Sequence, residues 1–257
     1  MNPDRMFFDR LADAAKAQTL PRFRMGTDIA NKLDGGFDPV TDADRGAEQA
    51  IRSLIEAQFP DHGILGEEHG TMGLDRDYVW VIDPIDGTRA FISGLPVWGT
   101  LVGLYHKGRA IMGMIDQPFT GERYFADATG SFYRGPDGEK INRTRDCGSL
   151  KQAILFSTSP HIFGPQDKPL YASVERSVRL FRYGCDCYAY ALLASGNIDL
   201  VVETELKPYD VGGLIAIIEQ AGGIITTWDG GRPEQGGRIL AAGSKAVHEE
   251  AMALLAG

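Results

Sequence analysis

Residues 79–88 read Val-Trp-Val-Ile-Asp-Pro-Ile-Asp-Gly-Thr, and the rest of the chain is organised around this stretch. Its apolar first part, residues 79–82, predicts a buried strand. Pro84 has no N–H to offer a neighbouring strand, so we expect the ladder to stop there. Asp83 and Asp86 flank the proline at the mouth of the strand. Two carboxylates this close repel each other, and one of them would have to stay protonated if no positive charge lay between them.

A bound divalent cation would remove this conflict between Asp83 and Asp86. Hard cations prefer oxygen ligands, and the Ile85 carbonyl lies between the two acids as a third oxygen. The alternative is an ordinary polar turn, because Asp and Gly are common in turns. Further acids elsewhere in the chain fit the same ion and favour the cation site.

The composition indicates a folded protein with an acidic surface. The chain has 257 residues, of which 43% are hydrophobic, enough for one large domain or two modest ones. Its 35 acids outnumber 26 lysines and arginines, for a net charge of −9. This balance disfavours nucleic acid as a partner. It leaves room for a small phosphate ester if metal ions supply the positive charge.

The cysteines and the ends of the chain predict a cytoplasmic protein. Cys147, Cys185 and Cys187 cannot all pair within one chain, and residues 185 and 187 are too close for an ordinary disulfide. No partner cysteines or histidines complete a zinc site, so we expect reduced thiols. We see no signal peptide at the N-terminus and no apolar run of about 18 residues, so we predict no membrane span.

The order of predicted elements suggests two halves in one compact α/β (α+β) unit. Residues 1–147 are predicted to place helices on a mainly antiparallel sheet that carries most of the metal ligands. Residues 148–257 alternate strand and helix and are predicted to form a smaller α/β half that completes the active site. One of its helices is predicted over residues 211–220.

Acids also stand at the ends of other predicted elements. Asp44 follows Thr41 in a pattern typical of a capping box. Residues 63–68 are predicted to form a short strand that ends in the two acids Glu67 and Glu68, and Asp210 stands directly before the predicted helix over residues 211–220. Helix capping explains Asp44 and Asp210 equally well, and a solvated loop explains Glu67. However, neighbouring strands that finish at one edge of a sheet bring their carboxylates together there.

These motifs together resemble the inositol monophosphatase superfamily. The resemblance covers nearly the whole chain and rests on Gly66-Glu67-Glu68, on Asp83-Pro84-Ile85-Asp86-Gly87-Thr88, and on Tyr209-Asp210-Val211 with Ala221-Gly222-Gly223. It implies a layered α/β/α/β/α sandwich and Mg²⁺-dependent hydrolysis of phosphate esters. The superfamily commonly forms homodimers, so the resemblance suggests a homodimer here.

The resemblance also implies roles for individual residues. The implied ligands of two or three Mg²⁺ ions are Glu67, Asp83, the Ile85 carbonyl, Asp86 and Asp210. Thr88 is expected to orient the attacking water with help from Asp44. Glu67 is expected to be a catalytic residue as well as a metal ligand. The backbone N–H groups of Gly87 and Thr88 are expected to bind the phosphate, close to a helix N-terminus that favours anions.

The substrate is suggested by a narrower resemblance. Residues 89–100, 184–190 and 205–210, with Asp38-Pro39-Val40-Thr41, are similar to the histidinol-phosphate phosphatases of this superfamily. This similarity implies hydrolysis of L-histidinol phosphate, a step of histidine biosynthesis. Two alternatives stay open: another ester, such as an inositol phosphate, fructose bisphosphate or a nucleotide 3′-phosphate, and a non-catalytic binding protein on the same fold.

Histidinol carries an ammonium and an imidazole, so its pocket should present acids beyond the metal ligands. Asp186, at the start of a predicted helix, and Glu203, at the end of a predicted strand, are the candidates. The alternatives are helix capping for Asp186 and an exposed strand end for Glu203. Arg89 either touches the phosphate or only covers the site.

Overall fold

The computed structural model describes residues 3–25, 30–31 and 39–256, so Asp38 of the motif above lies outside the described residues. The helices are α1 Arg5–Thr19, α2 Asp42–Gln58, α3 Thr88–Ser93, α4 Asp167–Glu175, α5 Asp186–Ala194, α6 Pro208–Gly212, α7 Ile215–Gln220 and α8 Lys245–Leu255. The strands are β1 Ala30–Asn31, β2 Pro39–Val40, β3 Gly63–Gly66, β4 Thr71–Met72, β5 Tyr78–Asp86, β6 Gly99–His106, β7 Arg109–Gln117, β8 Glu122–Asp127, β9 Gly130–Gly135, β10 Gly138–Ile141, β11 Ile154–Ser157, β12 Leu180–Tyr183, β13 Leu200–Leu206, β14 Ile224–Thr227 and β15 Gly237–Ala242. Within these ranges, no helix has both the length and the apolar character needed to span a bilayer.

The larger sheet has the strand order β10-β9-β8-β7-β6-β5-β3-β4. It is antiparallel except between β3 and β5, which run parallel. The helices α1 and α2 cover one face, where Leu11 and Ile51 pack with Trp80 of β5 in one buried cluster. Because apolar residues recur at helical spacing in both helices, each presents a continuous apolar stripe to the sheet.

The smaller sheet has the order β12-β11-β13-β15-β14. Its first three strands are parallel and β15 pairs antiparallel with β13 and β14. The helices α5, α6 and α7 lie between the two sheets, where Leu101, Tyr190 and Val201 share one core. On the far side, α4 and α8 pack against the smaller sheet through Tyr171 and Val247. The layers therefore alternate α/β/α/β/α, and the predicted sandwich is confirmed.

The strand β5 continues past its proline, so the prediction that Pro84 ends the ladder is wrong. Asp83 pairs with Leu101 of β6 and Asp86 with Gly99, and the register shifts between the two pairs. A bulge is one of the few places where a sheet accepts proline, because the bulged residues leave the hydrogen-bond ladder.

The predicted helix over residues 211–220 is two short helices, α6 and α7, joined at Gly213 and Leu214. The carbonyl of Gly212 would lie 2.2 Å from a Cβ atom added to Gly103, and the carbonyl of Gly213 would lie 2.4 Å from one added to Gly113. These close approaches are possible only for glycine. The helix breaks where its backbone lies directly on β6 and β7.

Candidate metal and substrate site

Three aspartates converge at the end of β5. Asp83, Asp86 and Asp210 offer carboxylate oxygens that all lie within 4.8 Å of one another. Asp83 is almost completely buried, with 2% of its surface exposed. The two β5 acids are brought to one point by the bulge around Pro84, and Asp210 is delivered by α6.

Glu67 joins this cluster from the neighbouring strand. In the parallel pair β3 and β5, Gly66 at the end of β3 is opposite Ile82 of β5, so the residues that follow them, Glu67 and Asp83, lie side by side. The Glu67 N–H donates to the Ile82 carbonyl at 3.2 Å, and its carboxyl group is hydrogen-bonded to Asp83. The structure therefore places the four predicted carboxylate ligands together.

Thr88 and Asp44 lie next to the cluster. The Thr88 hydroxyl lies 3.1 Å from the Ile85 carbonyl and 3.4 Å from Oδ1 of Asp44. The other oxygen of Asp44 accepts hydrogen bonds from the Thr41 N–H at 2.8 Å and from the Thr41 hydroxyl at 2.5 Å. The buried Asp44 thus caps α2 with one oxygen and faces Thr88 with the other.

Asp210 is not the residue before a helix, as predicted, but a member of the first turn of α6. Its Oδ2 accepts from the Lys207 N–H at 2.6 Å, which satisfies one free donor at the helix start. The remaining oxygen is available to the cluster. Asp210 therefore combines capping of α6 with a place in the acidic cluster.

The crowding of these acids opposes their ionisation. Burial raises the pKa of Asp83 well above its usual range, and the charges of its acidic neighbours raise it further. Burial, followed by the charges of Asp186 and Asp210, raises the pKa of Asp86. Burial also raises the pKa of Asp210 to about 7. Without a cation the cluster must hold protons near neutral pH, and a divalent ion bound to the same oxygens would replace them.

This electrostatic strain predicts a pH-dependent effect of Mg²⁺ on stability. The pKa of Asp210 is about 7 in the folded protein and about 4 in an unfolded chain. The folded state therefore binds the extra proton, and the resulting stability, complete below the unfolded value, is lost as pH rises through this window. We expect the melting temperature of the EDTA-treated protein to fall between about pH 5 and pH 8, and added Mg²⁺ to raise it more at the higher pH.

Differential scanning calorimetry with EDTA or Mg²⁺ at both pH values measures this effect. Asp210→Asn is the control, because it removes a titrating group and should flatten the pH dependence of the EDTA-treated protein. An equal Mg²⁺-induced shift at both pH values would contradict the assignment of the cation to this cluster.

A cavity of about 170 Å³ opens beside the acids. It is lined by Asp86, Thr158, Asp186, Cys187, Tyr190, Glu203, Leu206 and Asp210. Glu203 is only 3% exposed, so the alternative of an exposed strand end is wrong. Its Oε1 accepts from the Thr158 N–H at 2.8 Å and from the Thr158 hydroxyl, and its Oε2 accepts from the Tyr190 hydroxyl at 2.8 Å. Three donors fix this carboxylate in the wall of the cavity.

Asp186 is a second acid in the lining of the cavity. It is the first residue of α5 with a φ of 44°, and no side-chain capping bond is made at this helix start. A Cβ atom added to Gly87 would lie 3.1 Å from its Oδ2, so Asp186 adjoins the turn predicted to bind phosphate. Burial and then the charge of Glu203 raise the pKa of Asp186 to about 6, against the lowering effect of Arg89. Arg89 itself is exposed, and its role in binding phosphate stays a prediction.

Four residues of the cavity had not been predicted as site residues: Thr158, Cys187, Tyr190 and Leu206. The Cys187 N–H donates to Oδ2 of Asp86 at 2.6 Å and so ties α5 to the acidic cluster. Tyr190 follows Asp186 by four residues, a spacing that places both on one face of a helix and could have identified it. Thr158 follows β11 and carries no sequence signal, because only the parallel pairing of β11 with β13 places it beside Glu203.

Comparisons with known proteins identify the family of the chain. A profile of the inositol monophosphatase family matches residues 6–256. The bifunctional phosphatase IMPL2, a chloroplastic protein of Arabidopsis thaliana, is 45% identical over 94% of this chain and 72% of its own length. A histidinol-phosphatase of Chlorobaculum parvum is 32% identical over 99% of this chain and 97% of its own. The structure of an inositol monophosphatase from Zymomonas mobilis superposes with a TM-score of 0.87 at 38% identity, covering 98% of this chain and 97% of that protein. The chain therefore belongs to the inositol monophosphatase family and is a phosphatase.

Proposed function

We propose that this phosphatase is a Mg²⁺-dependent histidinol-phosphatase, which releases phosphate from L-histidinol phosphate in histidine biosynthesis. One observation carries the proposal. Three aspartate carboxylates within 4.8 Å of one another adjoin a cavity whose walls hold two further acids, Asp186 and Glu203. The first group suits a hard cation and a phosphate, and the second suits a positively charged leaving group.

The donor set fits Mg²⁺. All of the proposed side-chain ligands, Glu67, Asp83, Asp86 and Asp210, are carboxylates, and hard cations prefer oxygen. Burial and neighbouring carboxylates raise the pKa values of Asp83, Asp86 and Asp210, so a divalent cation at their oxygens would relieve an unfavourable concentration of negative charge. Two or three bound Mg²⁺ ions would neutralise the phosphate oxygens and the leaving oxygen and would lower the pKa of a bound water.

The remaining residues would orient the reactants. Thr88 lies between the Ile85 carbonyl and Asp44, where its hydroxyl would position the attacking water and Asp44 would take up a proton. Gly87 has a φ of 82° at the start of α3, a conformation that suits glycine. This turn would direct the N–H groups of Gly87 and Thr88 to the phosphate.

The two acids of the cavity would select the substrate. The ammonium of histidinol would balance the charges of Asp186 and Glu203, and burial together with the charge of Glu203 already raises the pKa of Asp186. A neutral polyol would leave both carboxylates without a cationic partner, which is unfavourable in a buried site. Sequence similarity supports the same substrate, since the Chlorobaculum parvum relative is named a histidinol-phosphatase.

A substrate panel tests the proposal. We expect phosphate release from histidinol phosphate to exceed release from inositol 1-phosphate, fructose 1,6-bisphosphate and a nucleotide 3′-phosphate at equal concentration, and to stop when EDTA removes Mg²⁺. The discrimination should reach about 10²-fold in kcat/KM, the value of one buried charge interaction. Comparable turnover of inositol 1-phosphate would refute the specificity and leave the phosphatase chemistry intact.

Inositol phosphate is the second candidate, because the similar Zymomonas mobilis structure is that of an inositol monophosphatase. The same panel separates it from the first. If no ester releases phosphate when Mg²⁺ is present, the result would instead support the remaining alternative, a non-catalytic binding protein. The complete set of clustered acids argues against that reading, since a binding protein has no need of them.

A homodimer in the cytoplasm stays a prediction from the sequence. The Arabidopsis thaliana relative is named as a chloroplastic protein. Light scattering on the purified chain would measure its mass in solution.

A further inference from the structure

We infer that Glu48 and Arg52, an ion pair on α2, are positioning residues that set the place of Glu67 in the metal site. Neither residue faces the substrate cavity. The inference rests on the proposed function only in that Glu67 is taken as a ligand of Mg²⁺. It follows from the contacts of the turn at residues 66–70, which connects β3 to β4 and carries Glu67.

The pair is buried in the body of the protein. Glu48 is fully buried and Arg52 is 7% exposed. The guanidinium Nε donates to Oε1 of Glu48 at 2.7 Å, across one turn of α2. A buried carboxylate needs both a countercharge and hydrogen-bond donors. Arg52 supplies the countercharge, so Glu48 does not extend the uncompensated negative charge of the nearby cluster.

The donors to Glu48 come from the turn itself. The Glu68 N–H donates to Oε2 of Glu48 at 2.6 Å, and the His69 N–H donates to Oε1 at 3.1 Å. Arg52 reaches the same turn, because its Nη2 donates to the Gly70 carbonyl. One ion pair therefore holds three consecutive residues of the turn, all of them directly after Glu67.

The strand end before Glu67 is held in the same way. A Cβ atom added to Gly66 would lie 2.1 Å from Oε1 of Glu48 and 2.7 Å from Nη2 of Arg52, so the backbone of β3 lies directly on the pair. The Gly66 N–H donates to the Gly70 carbonyl at 3.1 Å and closes the turn. On the other side, the N–H of Glu67 donates to Ile82 of β5.

Glu67 is thus fixed from both sides, by β5 through its own N–H and by α2 through its neighbours. A residue that binds a metal must be placed to a fraction of an ångström, and groups that orient a ligand typically change metal affinity by about 10- to 100-fold when they are replaced. Loss of the Glu48 contacts would free the turn and weaken the contribution of Glu67 to cation binding.

The test is Glu48→Gln, which keeps the size of the side chain but loses the charge and one of the two acceptor oxygens. Its matched control is Asp199→Asn. Asp199 is also fully buried, pairs with Arg145 at 2.9 Å and accepts the Ile154 N–H at 2.8 Å, but it lies directly before β13, at the end of that strand away from Glu203. Both variants should melt at a lower temperature, because each loses a buried ion pair.

Only the Glu48 variant should lose cation affinity. We expect isothermal titration with Mg²⁺ to show a dissociation constant raised by about tenfold or more in Glu48→Gln and unchanged in Asp199→Asn. At saturating Mg²⁺, kcat should return to within a few-fold of the unchanged protein. Hydrogen exchange at the amides of Glu68 and His69 should accelerate in the Glu48 variant alone.

An unchanged Mg²⁺ dissociation constant in Glu48→Gln, with a loss of stability like that of Asp199→Asn, would overturn the inference. Should Glu48→Gln fail to fold, Arg52→Lys keeps the charge but cannot reach both Glu48 and Gly70, and it should give a smaller change in the same direction. Asp83→Asn in the same titration separates the two proposals. If the unsubstituted protein binds no Mg²⁺, or if Asp83→Asn binds it equally well, the proposed function itself fails.

Discussion

Asp83→Asn is expected to lower kcat/KM by about 10³-fold or more, because the stabilisation of several kcal/mol that a bound metal provides corresponds to that factor. Asp83 lies at the centre of the acidic cluster, within reach of Glu67, Asp86 and Asp210. An amide keeps the size of the carboxylate and removes its charge, so it should disturb every ion that shares this ligand. Steady-state kinetics at several Mg²⁺ concentrations measures the loss.

The same substitution should stabilise the protein when Mg²⁺ is absent. The pKa of Asp83 is raised well above its usual range by burial and by neighbouring carboxylates, so this group is unfavourable in the folded state without a cation. Asp83→Asn should therefore raise the melting temperature in EDTA, whereas Asp199→Asn, which breaks a compensated pair, should lower it. A mild effect of Asp83→Asn on kcat/KM would mean that the proposed ligand set is wrong.

Glu203→Ala is expected to lower kcat/KM for histidinol phosphate by about 10²-fold and for inositol 1-phosphate by less than about tenfold. The carboxylate of Glu203 is held by Thr158 and Tyr190 in the wall of the cavity, so it is already ordered for a cationic partner. Removing it eliminates the charge that would pair with the substrate ammonium. The ratio of the two losses is the quantity to measure.

Two controls support this comparison. Glu203→Gln keeps the side-chain volume and should lose the same preference, which separates charge from packing. The second control is calorimetry. If Glu203→Ala melts at the same temperature as the unsubstituted protein, a general loss of structure is excluded. Equal losses on both substrates would count against Glu203 as the ammonium partner.

Local patterns predicted the acids of the site well. Asp83 and Asp86 stand within one turn of each other, so their conflict is visible in the sequence and does not depend on the rest of the fold. The parallel pairing of β3 with β5 then places Glu67 beside them, as the order of strands and acids suggested. The sandwich itself was predictable by resemblance, because its motifs span nearly the whole chain.

Local patterns failed where distant backbone segments meet. The helix predicted over residues 211–220 has a continuous apolar run, but Gly212 and Gly213 lie directly on Gly103 and Gly113, and this contact breaks the helix. Proline by itself predicts the end of a strand's hydrogen-bond ladder, but the bulge around Pro84 allows β5 to continue to Asp86. In both cases close packing outweighed local preference.

The sequence by itself determined that acids at the ends of successive elements gather at one edge of a sheet, since strand order and the alternation of apolar and acidic residues suffice for that. Only the tertiary structure decided which further groups support them. Glu203 is buried through β11 and α5, and Glu48 holds the turn of Glu67 from a helix nineteen positions earlier in the sequence. The physical reason is that hydrogen-bond partners of a buried carboxylate come from whichever backbone the packing brings near, and that proximity is not written in the spacing of residues along the chain.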